Sequence, residues 1–454
     1  MKKLQEDITS WAGKTFECTC GRTHRVRTQR ILVGEDILSQ VPKVLEEFNI
    51  RGKALVLFDE NTYKAAGEEI EHVLQKRGFS VIPGLLSKEG NTPFLEPDER
   101  ARSQIGEYLF YQPNFIVAVG GGVINDLAKF VASRVKLPYV AVATAPSMDG
   151  YVSPGAPMLV AGYKITYDAI PPLVCFVDLE VVSSAPLPLL WAGFADLLGK
   201  ITANADWVFR HVVWGEDFCE FLWEHTASFL RALDTRAEGI PKRNREAVAL
   251  LSHALLFSGL GMDMIGDSRP ASGAEHLIAH YLEIMALQRG MHPSLHGLRV
   301  GAATAIVWHL YRMLFERGEE IFANPPKDTE SLDKVKAQFG PLFPFVEQEI
   351  QKKTHLLWPN LPLSLVKKAT EGKIFLLPNP LTTLQRAGIP PDFGALGFPL
   401  PMVKEACLFA RFVRSRITVL DLLARFSLLE EFVEEALKKV TEAAKAPQPG
   451  HQGS

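Results

Sequence analysis

Short apolar runs alternate with longer mixed segments through the first 180 residues. Ala54-Leu55-Val56-Leu57-Phe58 is a continuous apolar run closed by Asp59-Glu60-Asn61, and a charged, helix-like stretch follows from about Thr62 to Lys76. Phe79 to Ile82 reads as the next strand. Phe115-Ile116-Val117-Ala118-Val119 is another, and it runs straight into Gly120-Gly121-Gly122. Ile124 to Val135 predicts a helix, Tyr139 to Ala143 a strand, and Leu173 to Val177 one more, closing at Asp178. Strands that are apolar throughout, rather than at every second position, are buried on both faces, and their alternation with helices predicts a parallel α/β sheet. Such a sheet sets its ligand site beyond the carboxyl ends of its strands.

From about Pro186 the periodicity changes to long amphipathic patterns, such as Trp191 to Phe209, Arg243 to Met262 and Glu275 to Leu287. The pattern therefore predicts an α/β domain over residues 1–183 and an all-α domain over residues 184–445. Proline-containing breaks at Asn324 to Pro326, Pro359 to Pro362, Pro378 to Pro380 and Pro390-Pro391 divide the remainder into further helices. The tail from Ala446 to Ser454, rich in Pro, Gly, Gln and Ser, is expected to be disordered. No internal repeat is evident.

Composition narrows the function classes. Of 454 residues, 47 % are apolar and 22 % charged, as in an ordinary globular chain with a full core. The net charge is −3 with both signs mixed along the chain, so the basic excess or basic tracts of a nucleic-acid or anionic-membrane binder are missing. The first residues, Met1 to Asp7, lack the apolar core of a secretion signal, and no later stretch is expected to span a membrane. Five thinly spread cysteines (Cys18, Cys20, Cys175, Cys219 and Cys407) argue against a disulfide framework and for a reducing, cytoplasmic location.

Two loops at strand ends have the composition of an anion site. Gly120, Gly121 and Gly122, followed by Val123, Ile124, Asn125 and Asp126, join a strand to a helix, where small residues admit a ligand and free N–H groups face an anion. The Gly-Lys-Ser/Thr ending of a P-loop is absent, which disfavours ATP hydrolysis. Thr144-Ala145-Pro146-Ser147-Met148-Asp149-Gly150-Tyr151-Val152-Ser153 follows the next strand and is dense in hydroxyls. Asp59, at an earlier strand end, suits either the adenosine ribose or an ordinary helix cap near Asn61.

The helical half holds candidate metal ligands. Asp196 lies in the apolar run Gly193-Phe194-Ala195-Asp196-Leu197-Leu198-Gly199-Lys200, where a carboxylate is costly unless paired or ligating. His276 and His280 share one helix face in Ser268-Arg269-Pro270-Ala271-Ser272-Gly273-Ala274-Glu275-His276-Leu277-Ile278-Ala279-His280. His296 opens the next segment, with His292 as a competitor just before Pro293. One carboxylate and two imidazoles accommodate a divalent zinc, nickel or iron ion.

Together these stretches resemble the sn-glycerol-1-phosphate dehydrogenases, especially their bacterial branch, within the superfamily of iron-containing alcohol dehydrogenases, glycerol dehydrogenases and 3-dehydroquinate synthases. The resemblance rests on Gly120 to Lys129, Thr144 to Ser153, Ala192 to Trp207, Ser268 to His280 and His296 to Gly301. It implies an NAD(P)-binding α/β domain followed by a helical metal- and substrate-binding domain. By the same resemblance Gly120 to Asp126, with Thr144 and Ser147, hold NAD or NADP, and Ser153 meets the nicotinamide side. Asp149, His280 and Asp196 contact the substrate, and Asp196, His276 and His296 bind one metal ion.

The implied reaction is reversible reduction of dihydroxyacetone phosphate, a small phosphorylated triose, to sn-glycerol 1-phosphate, toward lipid synthesis; a homodimer would be usual for the family. His280 through a water, or Asp149, is the expected proton relay. Arg269 and Lys164 are candidate phosphate anchors, although each alone reads better as a surface ion pair. Two departures stand out: Leu298 occupies a position where an acidic residue is expected after His-Gly, and nothing after about residue 320 matches a motif. The alternatives are a glycerol or alcohol dehydrogenase acting on unphosphorylated polyols, a 3-dehydroquinate synthase (disfavoured because its family has glutamate at the position of Asp196), and a non-catalytic metal- and nucleotide-binding sensor. Cys18, Cys20 and His24 fall short of a tetrahedral metal set, so a plain loop is expected there.

Overall fold

The computed structural model describes residues 8–88, 92, 94–322, 331–354, 358, 363–390 and 392–445. The breaks expected at Asn324 to Pro326 and Pro359 to Pro362, Pro391 and the tail from Ala446 all lie outside these residues. The chain forms two compact units, Met1–Leu197 with Gly239–Ser268, and Leu198–Glu238 with Arg269–Ser454.

The first unit begins with a hairpin of β1 (Thr15–Glu17) and β2 (Thr23–Arg25). Its parallel sheet is built from β3 (Arg30–Gly34), β4 (Lys53–Phe58), β5 (Ser80–Leu85), β6 (Phe115–Gly120) and β7 (Tyr139–Ala143). A second hairpin, β8 (Gly155–Val160) and β9 (Tyr163–Asp168), precedes the last sheet strand, β10 (Val174–Asp178). The order across the sheet is β3-β10-β7-β6-β4-β5. The apolar runs predicted strands at β4, β5, β6, β7 and β10. The edge strand β3 and both hairpins were not predicted, because a strand with one wet face or three residues gives no continuous apolar run.

Helices α1 (Val41–Glu47), α2 (Glu68–Lys76), α3 (Glu99–Leu109) and α4 (Gly122–Val135) alternate with the strands. Val56, Val117, Val140 and Phe176 on the sheet meet Val41, Leu45, Ile70 and Leu74 on the helices in one buried cluster. Register also positions the site. Gly120 pairs with Ala143, so the loops leaving β6 and β7 start at the same level, tied by Thr144 N–H donating to Gly120 O at 3.2 Å.

Further along lie α5 (Leu179–Ser184), α6 (Leu187–Leu198), α7 (Lys200–Trp214), α8 (Glu220–Asp234) and α9 (Arg245–Ile265). The single amphipathic run expected from Trp191 to Phe209 is two helices meeting at Gly199. The units also differ from a single cut near residue 183, since α9 belongs with the sheet. Among the described residues α9 is the one helix long and apolar enough to cross a membrane, contrary to expectation, and its apolar window is wholly buried. A helix buried on every side within a folded unit has that composition without any membrane.

The second unit contains α7, α8, α10 (Ala274–Gln288), α11 (His296–Phe322), α12 (Leu332–Phe339), α13 (Phe343–Thr354), α14 (Leu363–Ile374), α15 (Pro380–Arg386), α16 (Leu400–Phe409), α17 (Val419–Arg425) and α18 (Leu429–Lys445). The described residues beyond 320 pack as helices: Trp308 on α11 donates to Ile374 O at 3.0 Å, and Lys353 pairs with Asp421 at 2.9 Å. All five cysteines are unbridged.

Candidate active site

The glycine loop is tight because of what packs behind it. A Cβ on Gly120 would stand 2.5 Å from the Ile124 Cβ, and one on Gly122 would stand 3.0 Å from Met148 Cγ. Gly121 is the N-cap of α4 with no side-chain cap, so the first-turn N–H groups receive nothing from it. That is the composition of an anion-binding helix end.

The Thr144–Ser153 loop is pinned from below by Lys129. This wholly buried ammonium donates to Gly150 O at 2.6 Å, Gly155 O at 2.9 Å and Ser153 Oγ at 3.3 Å, and lies 3.4 Å from Asp126 Oδ1. Desolvation raises the Asp126 pKa to about 6, partly opposed by Lys129, and the same burial lowers that of Lys129. Tyr151 donates to Ala145 O at 2.8 Å and closes the loop on itself. Two helices pass so close that only glycine fits. A Cβ on Gly193 of α6 would lie 1.8 Å from Pro146 O, and one on Gly259 of α9 would lie 2.5 Å from Asp149 O. Ser258, beside Gly259, donates to Asp149 Oδ2 at 2.7 Å and fixes that carboxylate.

Asp196, 1 % exposed, lies in the last turn of α6, whose final residue Leu198 already belongs to the second unit. The rings of His276 and His296 are 5.3 Å apart, and His280 stacks on His296 at 5.3 Å and 23°.

A buried polar frame holds His276. Its Nδ1 donates to Glu275 Oε1 at 2.7 Å; Glu275 also accepts from Gly273 N at 2.6 Å and Thr202 Oγ1 at 2.6 Å. Burial pushes the Glu275 pKa up, but the hydrogen bonds led by His276 outweigh it and leave the carboxyl lowered. Asp206 accepts from Ala274 N at 2.7 Å, Tyr311 Oη at 2.6 Å and Val419 N at 2.9 Å, and burial followed by the nearby Glu275 charge raises its pKa to about 7. The loop before α10 is held by buried Lys200 donating to Ala271 O at 3.0 Å and Asn204 donating to Pro270 O at 2.9 Å. At the start of α11, Leu298 is buried, and its neighbour Arg299 ties the helix to α10 through Glu283 at 2.8 Å.

Other predicted residues have plainer surroundings. Asp59 caps the turn Glu60–Thr62, with Oδ1 accepting from Asn61 N at 2.9 Å and Thr62 N at 2.8 Å, so the helix-cap alternative is realised. Arg269 is ion-paired to Glu216 at 3.1 Å, and Lys164 lies on β9.

Residues 32–186 match the family model described as iron-containing alcohol dehydrogenase. A glycerol-1-phosphate dehydrogenase [NAD(P)+] of Halalkalibacterium halodurans is 36 % identical over 65 % of this chain and 74 % of its own length. The enzyme of the same name from Bacillus licheniformis is 30 % identical over 93 % of this chain and 96 % of its own. The chain belongs to the glycerol-1-phosphate dehydrogenase family.

The fold of this family member is shared more widely. A probable glycerol dehydrogenase from Sinorhizobium meliloti superposes with a TM-score of 0.61 at 16 % identity, covering 91 % of this chain and 97 % of that one. Lys129, Glu275, Asp206 and Tyr311 were not singled out from the sequence as parts of the site. Lys129, Asp206 and Glu275 lie inside the stretches that carry the family resemblance. Asp206 and Tyr311 come together only through the packing of separate helices, which no local spacing displays.

Proposed function

We propose that this protein catalyses the reversible, metal-dependent reduction of dihydroxyacetone phosphate to sn-glycerol 1-phosphate with NADH or NADPH. The observation that carries the reading is the pairing of His276 and His296, whose rings are 5.3 Å apart, in a chain of this family that also offers the buried carboxylate of Asp196. The donor set suits a divalent ion, since it joins one carboxylate to two imidazoles and the second nitrogen of His276 is already held by Glu275. When bound, the ion would supply Lewis acidity toward the ketone oxygen and the nicotinamide a hydride for its carbon.

The chain's own residues would do the rest. The Gly120–Asp126 turn would take the diphosphate on its N–H groups, with Thr144 and Ser147 beside it and Ser153 toward the nicotinamide. Asp59 spends Oδ1 on its cap, and Oδ2 would serve a ribose hydroxyl, favouring NAD over NADP by repelling a 2′-phosphate. Asp149, oriented by Ser258, and His280 would contact substrate, and one of them would deliver the proton to the product oxygen. Lys164 and Arg269 are the candidate cations for the substrate phosphate. A cytoplasmic location and a homodimer complete the proposal; light scattering of the purified protein tests the dimer.

The deciding experiment follows NADH oxidation with dihydroxyacetone phosphate and, in parallel, with unphosphorylated dihydroxyacetone, before and after chelation and metal return. Turnover confined to the phosphorylated ketone, lost to chelator and restored by metal, is the expected result. Equal or faster turnover of the unphosphorylated ketone would make it a glycerol dehydrogenase instead.

A further inference from the structure

The β1–β2 hairpin carries Cys18-Thr19-Cys20-Gly21-Arg22-Thr23-His24. Its strands are three residues each, too short to hold a hairpin together unaided. The loop folds back through Cys18 N donating to Arg22 O and Gly21 N donating to Cys18 O, both at 2.9 Å, with Gly21 in the left-handed region at φ 83°. Cys18, Cys20 and His24 thereby face one point, one ligand atom of each lying within 4.8 Å of the others.

His24 is prepared for a particular task. It is fully buried, and Nδ1 lies 3.2 Å from Met264 O, so Nδ1 carries the proton and donates it to that carbonyl. The lone pair is left on Nε2, which is 3.4 Å from Cys20 Sγ. Donors on a tetrahedral zinc, at about 2.3 Å for sulfur and 2.0 Å for nitrogen, stand about 3.5 Å from each other. A carbonyl accepting from the far nitrogen is the usual outer partner of a ligating histidine.

We propose that Cys18, Cys20 and His24 bind a structural zinc ion that staples the N-terminal hairpin, separate from the catalytic metal. A tetrahedral ion takes a fourth donor. Solvent or a further side chain fills that corner.

Cobalt loading of the full-length protein tests this, because Asp196, His276 and His296 offer no sulfur. The expected result is two metal equivalents per chain and a sulfur-to-cobalt charge-transfer band in the near ultraviolet. C18S/C20S should lose the band and one equivalent, whereas H276A should lose the other equivalent and keep the band. A single equivalent without the band in the wild-type protein, or both equivalents retained in C18S/C20S, would overturn the proposal. A readout free of folding effects uses the wild-type chain: zinc should slow alkylation of Cys18 and Cys20 several-fold and a chelator should restore it, and equal rates would also overturn it. The band without turnover of dihydroxyacetone phosphate would count against the proposed reaction alone.

Discussion

His276 Nδ1 stands 2.7 Å from Glu275 Oε1, and the two residues are neighbours in sequence. Adjacent helical side chains ordinarily diverge, so this contact needs help. It comes from Thr202 and Gly273 N–H, which hold the carboxylate over the start of α10, and from Gly273, where a Cβ would meet Asp206 Oδ2 at 2.6 Å. The result is a fixed tautomer with a proton on Nδ1 and Nε2 left to ligate. E275Q should therefore weaken metal binding by about ten- to a hundredfold while far-ultraviolet circular dichroism stays unchanged. Chelator competition measures it, and equal metal affinity would mean that Glu275 only packs.

Lys129 offers a different kind of test, of the proposed cofactor role of the loop it pins. K129M keeps the length of the side chain but strips donors from the carbonyls of Gly150 and Gly155 and from Asp126. Leaving such buried groups unpaired costs about 1–3 kcal/mol each. Denaturant unfolding should show a loss of at least that order, and NADH should bind more weakly because the loop holding Thr144 to Ser153 loosens. Unchanged NADH titration in a folded K129M protein would detach this loop from cofactor binding.

How far the sequence reached follows from what generates each signal. Strands such as Val117 and Val142 lie at the centre of the sheet, buried on both faces, so they announce themselves as apolar runs. The candidate ligands stood out because His276 and His280 are a helical turn apart and Asp196 is an acid in an apolar run. The Cys18–His24 loop reads as plain from the sequence because a local motif cannot display the Met264 carbonyl that sets the His24 tautomer. Asp59 offered two readings, and only the geometry of Asn61 and Thr62 showed the cap.

Gly193 illustrates a constraint that periodicity hides. On α6 it reads as a mild helix-weakening residue, worth about 1 kcal/mol against alanine. The structure reverses that preference, because a Cβ there would sit 1.8 Å from Pro146 O, a backbone atom of the loop that carries Ser147 and Asp149. G193A must push helix and loop apart. It should cost more than the helix propensity returns, by about 1–3 kcal/mol as for other overpacked positions. Thermal unfolding would register this, and a G193A protein as stable as wild type would show that the helix is free to shift.

Acid stability should carry the mark of His309. This ring on α11 is 8 % exposed, and burial, followed by the positive charges of Lys439 and Arg312, lowers its pKa to about 4 against the opposing charges of Glu316 and Glu435. A base whose pKa is lower in the folded chain than in the unfolded one takes up a proton on unfolding. Its contribution to stability is therefore complete above the unfolded value near 6.5 and is lost as pH falls toward about 4. The shift corresponds to at most about 3 kcal/mol over that window. H309Q, which cannot charge, should flatten the decline in unfolding free energy between those pH values relative to wild type. Parallel profiles for the two proteins would show that His309 protonates in the folded state without penalty, and acid sensitivity would then have to come from other groups.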